Sequence, residues 1–250
     1  MAIAPVRSRI PGKVDSLAKL VLVATALSGE VLADNPVGFW RLSETSGTVA
    51  SDSSGRGNHG TYVNGPTLGQ SAIVAGDPAL NHSVLCGASL KEVQVASSSS
   101  IQGITTDYTY EIWFKGTGAW NGNAVIGRRG PSGTKWQGVI RPKTDGNIRF
   151  FDHNGTSVQA DFSTTGGYSQ SAVHHVVFTR SATAGASFYV DGSLVGTSTV
   201  GLGQNFSSTT GIFLGDEDGT GACNSYIAAA AVYNYALSQT RIVAHYDAGT

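Results

Sequence analysis

Charge is scarce in this chain. Lys, Arg, Asp and Glu make up 13% of its 250 residues, about half of the usual ~25%. The formal net charge of −1 offers no broad basic field, so nucleic acid is not an expected partner. Cysteine is nearly absent. Cys86 and Cys223 are far apart and have no metal-ligand spacing. Two buried thiols are the plainer reading, and a disulfide would need their strands to lie side by side. Long apolar runs are missing too. The stretch Leu17–Leu27 is too short for a membrane span, which needs roughly 20 residues, so no membrane partner is expected.

Glycine is plentiful, at 33 residues, beside an ordinary apolar fraction of 40%. That combination excludes disorder and points to short strands joined by tight turns. The length suits one large β-sandwich or two small domains, without choosing between them, and is enough to bury a full core. No internal repeat is visible, which disfavours a solenoid or propeller.

Residues 1–30 differ from the rest. Arg7, Arg9, Lys13 and Lys19 make the start basic, and Pro5 and Pro11 oppose a helix there. A helix capped by Ser16 and ended by Gly29 is expected over the apolar run. An apolar helix needs a covering surface. One reading is therefore an anchoring arm that docks on another chain through Arg7, Arg9, Leu20, Leu22 and Leu27, against the plainer one that the arm folds back on its own domain. The alternative is a secretory signal over residues 1–33, ending in Val31-Leu32-Ala33.

From residue 31 onward the period is two. Tyr108, Tyr110, Ile112 and Phe114 share one strand face, with Thr109, Glu111, Trp113 and Lys115 on the other. Further strands are expected at 147–151, 174–179, 187–190, 193–195, 211–215 and 227–233. Asp191-Gly192 between two apolar runs is a hairpin signal. A closing helix over 239–248 is capped by Ser238, with Ile242, Val243 and Tyr246 facing inward and Gly249 as its stop.

Catalytic patterns are few. Retaining glycosidases need two carboxylates on one face, about 5–5.5 Å apart. The same-face neighbours of Glu111 are Trp113 and Lys115, so that pair is absent. His174 and His175 are adjacent on a strand and point to opposite faces, so they cannot share one metal ion. One is expected to be buried and the other to face the surface. Asp216 and Asp218, in Asp216-Glu217-Asp218-Gly219, are the candidate calcium ligands, against an ordinary acidic turn. Asp52 and Asn58 read as turn-formers. Trp120 and Trp136 could form a sugar platform, with Asp152, His153 and Asn154 on a turn nearby supplying hydrogen bonds. Against this stands the tendency of tryptophan to pack inside.

Three stretches together resemble the laminin-G-like jelly-roll family of the concanavalin-A-like superfamily. They are Val31–Glu44 followed by Asp52-Ser53-Ser54-Gly55 and Asn58-His59-Gly60; then Phe188–Gly192; then Val232–Ser238 running into His245-Tyr246. The resemblance covers about residues 31–250. It implies an all-β, antiparallel two-sheet sandwich with a short C-terminal helix, and a non-catalytic binding or structural role. The leading segment Val31–Glu44 looks most like the versions in tailed-bacteriophage virion proteins. On that resemblance the chain is expected to be a capsid decoration or minor tail protein. Its expected partners are capsid or tail subunits and itself as a homo-oligomer, with host-surface glycan as a further contact. A secreted bacterial carbohydrate-binding module is the alternative. The chain departs from the family at Ala228–Ala231, where an acidic pair is usual. It departs again at Arg241, where a glutamate usually completes the helix capping box.

Overall fold

A computed structural model describes residues 26–87, 91–130, 135–206, 208–215 and 223–250. Arg7, Arg9, Leu20 and Leu22 of the expected arm, and the candidate calcium ligands Asp216 and Asp218, lie outside them.

The chain begins its described course with helix α1 (Leu27–Ala33). Six strands follow: β1 (Gly38–Trp40), β2 (Val49–Ala50), β3 (Gly60–Val63), β4 (Thr67–Ser71), β5 (His82–Cys86) and β6 (Glu92–Val95). A one-turn helix α2 (Ser99–Gln102) leads to β7 (Tyr108–Gly116), β8 (Ile126–Arg129), β9 (Lys135–Pro142), β10 (Ile148–Asn154) and β11 (Val158–Ser163). Then come β12 (Val173–Ser181), β13 (Gly185–Val190), β14 (Ser193–Ser198), β15 (Ile212–Leu214), β16 (Ser225–Tyr233) and the closing helix α3 (Gln239–Gly249).

The strands form two antiparallel sheets. One runs β14-β13-β12-β7-β16-β5-β4, with β1 also paired to β16; the other runs β11-β10-β9-β8-β15-β6-β3-β2. The interior between them holds Tyr108, Tyr110, Ile112 and Phe114 of β7 with Phe150, Phe178 and Phe188. This is the apolar face that period-two patterning selects. Asp191 and Gly192 turn the β13–β14 hairpin with φ of 51° and 73°, the left-handed pair that such a two-residue turn requires. Cys86 and Cys223 are buried thiols, and the Cys223 Sγ lies 3.6 Å from the Cys86 carbonyl oxygen.

The first sheet has a second apolar layer on its outer face. Phe39, Trp113, Val177, Ala228, Ala231 and Tyr233 pack there against Leu27 and Val31 of α1 and Ile242 of α3. Of the four alanines 228–231, Ala228, Ala229 and Ala231 line this layer and Ala230 faces the interior between the sheets. Ser238 caps α3 by accepting from the Arg241 N–H. Of the expected inward residues, Ile242 is fully buried while Val243 and Tyr246 are half-buried, Tyr246 stacked 6.0 Å from Trp113; His245, which is not among them, is fully buried.

Two expectations about the start of the chain change. Gly29 lies inside α1 rather than ending a helix. Leu27, expected in an assembly arm, is fully buried against its own domain, because α3 and the first sheet supply the cover that its apolar side chain needs.

A close approach fixes β9. Gly138 has φ +61°, and a Cβ there would sit 2.1 Å from the Tyr110 ring. Gly138→Ala is expected to destabilise by about 1–3 kcal/mol through overpacking, read as a lower urea midpoint with unchanged m.

Candidate binding site

The two sheets differ in what covers them. The outer face of the first is sealed by α1 and α3, and a cluster of charges lies beneath. Glu111 is 1% exposed. Its carboxylate meets His175 Nε2 at 2.8 Å, His245 Nδ1 at 3.0 Å and the Tyr233 hydroxyl at 3.1 Å. His245 Nε2 reaches Asp34 at 2.9 Å. Arg241 then bonds Asp34 through Nε and Glu30 through a terminal nitrogen at 2.6 Å. Burial raises the Glu111 carboxyl, but the two histidines more than offset this and hold it well below the usual carboxylate range. Burial likewise opposes protonation of His245, and Glu111 and Asp34 overcome it, so its pKa is raised. The arrangement ties α1, α3, β7, β12 and β16 together. It leaves no access for a substrate, so Glu111 is a structural anion.

Both strand histidines are buried, which corrects the expectation that one faces the surface. His175 is fully buried beneath Tyr246 and Trp113, because α3 covers that face. His174 bonds Asp191 and the Ser169 carbonyl at 2.9 Å each. They do point to opposite faces, as strand geometry demands. Among the described residues, no group of three His, Cys, Asp or Glu side chains is arranged to hold a metal ion.

The expected sugar residues separate. Trp120 is 1% exposed and packs on Phe114 and His174, so it offers no platform. Asp152 is fully buried between the sheets and lies on β10 rather than a turn. It accepts from Arg180 Nε at 2.8 Å, from the Gly138 N–H at 2.7 Å and from the Tyr108 hydroxyl. Burial pushes its carboxyl up against the pull of Arg180. Asp152 therefore joins the two sheets and cannot reach a ligand. The reason is topological: inward-facing Phe150 puts residue 152 inward as well. Asn154 ends β10 and holds a tight turn, accepting from the Thr156 and Ser157 N–H groups. Asp52 behaves as expected, accepting from the Ser54 and Asn58 N–H groups.

Trp136 and His153 remain on the surface side, on the outer face of the second sheet, where no helix of the described residues lies. Register runs Thr61, Gln94, Phe213 and Gly127 across β3, β6, β15 and β8. Val139, Phe151 and Asp161 continue it across β9, β10 and β11. A groove of ≈ 590 Å³ opens on this face, lined by Thr61, Glu92, Gln94, Arg129 and Phe213 among others. Trp136, half-buried, stands beside it with Arg129 at 5.2 Å and Arg141 at 5.4 Å from its ring centre. Sequence reasoning missed Arg129, Gln94 and Phe213. Their strands are short, and only pairing shows that they share one face.

Two antiparallel sheets packed face to face, with α1 and α3 on one outer face, make this an all-β sandwich. A family model described as the concanavalin A-like lectin/glucanases superfamily matches residues 87–243, and the chain belongs to that family. No curated protein matches its sequence. Among solved structures, it resembles Trypanosoma rangeli sialidase at TM-score 0.62 and 15% identity, over 84% of this chain and 32% of that one. The chain thus spans about a third of the sialidase's length. The binding domain of Paraclostridial Mosquitocidal Protein 1 matches at TM-score 0.64 and 13% identity, over 86% of this chain and 52% of that one. Domain 4 of a GH43 extracellular arabinanase from Geobacillus stearothermophilus, solved in complex with arabinotriose, matches at TM-score 0.59 and 14% identity, over 86% and 98%. At these identities the likeness is one of fold.

Proposed function

We propose that the chain is a non-catalytic glycan-binding module whose ligand lies across the outer face of the second sheet. The observation that carries this reading is the asymmetry of the sandwich. One outer face is closed by α1 and α3, and the other holds an open groove with polar and aromatic lining. Such a mix of apolar surface and a few directed polar groups is what small ligands select. The similarity in fold to an arabinanase domain solved with arabinotriose adds support. Hydrolysis is not part of the proposal. It needs two facing carboxylates, and Glu92 is the single acidic side chain among the described groove-lining residues. Isothermal titration against a panel of neutral and acidic oligosaccharides tests the proposal. Binding in the micromolar to millimolar range is expected, lost on Gln94→Trp, which fills the groove. Equal binding by that variant, or no binding to any glycan, overturns it.

The capsid decoration or minor tail role is a second reading. It is supported by the leading segment Val31–Glu44 and by the clasp of Glu30 and Asp34 on Arg241, which gives an anchoring arm a fixed root. Removal of residues 1–33 as a signal peptide would strip Leu27 and Val31 from the outer layer, which weighs against that alternative. A variant lacking residues 1–25 keeps α1. Under the virion reading it remains folded and no longer joins particles or forms homo-oligomers.

A further inference from the structure

Asn-Gly occurs three times in the chain, at 64–65, 121–122 and 154–155. The peptide nitrogen that follows an asparagine can attack the asparagine side-chain amide. The two groups are neighbours in one chain, so they need no encounter, and glycine leaves the nitrogen uncrowded. What surrounds the nitrogen, the amide oxygen and the departing NH2 then sets the rate.

At 154–155 each of these has a partner suited to the reaction. The Gly155 N–H donates to His153 Nδ1 at 3.0 Å. An imidazole nitrogen that accepts this bond holds a lone pair and is a base within reach of the proton. Asn154 Oδ1 accepts from the Thr156 and Ser157 N–H groups at 2.9 Å each. Two backbone donors at such a distance stabilise an oxyanion. Asn154 Nδ2 donates to exposed Gln204 Oε1 at 3.0 Å, which fixes the amide orientation and leaves the NH2 on the solvent side.

Holding a turn does not by itself call for a base. Elsewhere in this chain the same bond, from a backbone N–H to the side chain two residues before it, ends on the hydroxyls of Ser54, Ser181 and Ser198. Among the described residues, His153 is the one histidine that accepts from a glycine N–H. At 121–122 the Gly122 N–H donates to the Pro142 carbonyl at 3.1 Å, an oxygen too weakly basic to take its proton.

We infer that Asn154 is a self-modifying site, with His153 as the base and the Thr156 and Ser157 N–H groups as the oxyanion donors. His153 Nδ1 takes the proton of the Gly155 nitrogen, and that nitrogen bonds to Asn154 Cγ. The Cγ–Nδ2 bond breaks, and the imidazolium returns the proton to the departing nitrogen, which leaves as ammonia. Nothing is oxidised or reduced. Water then opens the five-membered imide at either carbonyl and gives aspartate or isoaspartate. Either product adds a negative charge next to His153, the cross-strand partner of Trp136, on the face where the groove opens. The inference does not depend on what the groove binds.

The test incubates the full chain at neutral pH in heavy-oxygen water. Peptides holding Asn64, Asn121 and Asn154 are then followed by mass spectrometry, and their aspartate and isoaspartate forms are separated by chromatography. In the folded chain Asn154 is expected to convert about ten-fold faster than Asn64 or Asn121, because a positioned base acts there alone. Its products are expected to carry heavy oxygen. In urea the three sites are expected to convert at similar rates, since the dipeptide is then all that they share. His153→Gln keeps an acceptor for the Gly155 N–H and removes the base. It is expected to slow Asn154 about ten-fold or more and to leave Asn121 unchanged. The comparison among the three sites needs no variant, so it stands even if His153→Gln folds poorly. A folded Asn154 that converts no faster than Asn121 overturns the inference. So does a folded His153→Gln chain that converts Asn154 as fast as the parent or faster, since His153 would then only hold the turn.

Discussion

Glu111→Ala is expected to lower the free energy of unfolding by about 3–5 kcal/mol, the effect of removing one partner from a buried ionic cluster. The carboxylate holds His175, His245 and Tyr233 at once. Its loss strands three buried polar groups beneath α3, and α3 in turn holds α1 through Arg241. Urea unfolding followed by tryptophan fluorescence measures the loss, since Trp113 stacks on His175 at 4.8 Å. A loss below about 1 kcal/mol would match a surface pair and would contradict the sealed geometry.

The same cluster sets a pH window. The raised His245 pKa means that its contribution is fully present below the unfolded value of 6.5 and is lost as pH rises through the folded value. The depressed Glu111 pKa acts in the opposite sense. Its contribution is present above the unfolded value of 4.5 and is lost as pH falls through the folded value. From these two groups, stability is expected to be greatest between 4.5 and 6.5. It then declines above that window as His245 loses its proton. Glu111→Gln keeps the shape, removes the charge and is expected to flatten the decline. The groups facing His245 are Glu111 of β7, Asp34 after α1, Tyr233 of β16 and Arg241 of its own helix. Arg241 opposes its protonation and the two carboxylates favour it.

The second large effect is expected at Asp152. Asp152→Ala leaves the Arg180 guanidinium, 1% exposed, without its carboxylate inside the sandwich. The Tyr108 hydroxyl and the Gly138 N–H also lose their acceptor. A destabilisation of about 3–5 kcal/mol follows, measurable as a fall in the urea midpoint. Asp152→Asn keeps an acceptor oxygen for Tyr108 or Gly138 and is expected to lose less. Glycan affinity per folded molecule is expected to be unchanged in both, because Asp152 does not reach the groove side. A specific loss of affinity with unchanged stability would return Asp152 to the binding site and overturn its structural role.

Much of the fold was legible in the chain because it follows from short-range rules. Alternation chose the inner face of β7, and the Asp191-Gly192 pair chose the β13–β14 turn. Ser238 marked the start of α3. Each depends on backbone preferences and side-chain direction within a few residues. The site was less legible. Trp120 and Trp136 look alike in sequence, yet one is core and the other stands on the groove side. Asp152, His153 and Asn154 look like a polar turn, yet Asp152 answers Arg180, 28 residues away. Leu27 looks like part of an arm because nothing nearby in the chain shows that α3 will cover it.

The sequence by itself therefore determined the all-β class, the strand faces, the hairpin and the closing helix, since these are local consequences of periodicity and capping. Tertiary structure alone decided which outer face α1 and α3 would close and which would stay open. It also decided which carboxylates would be buried, and that Gln94, Phe213 and Arg129 would share one face. Those outcomes depend on which strands pair and which layers stack. Register and layer packing join residues that no spacing in the chain connects.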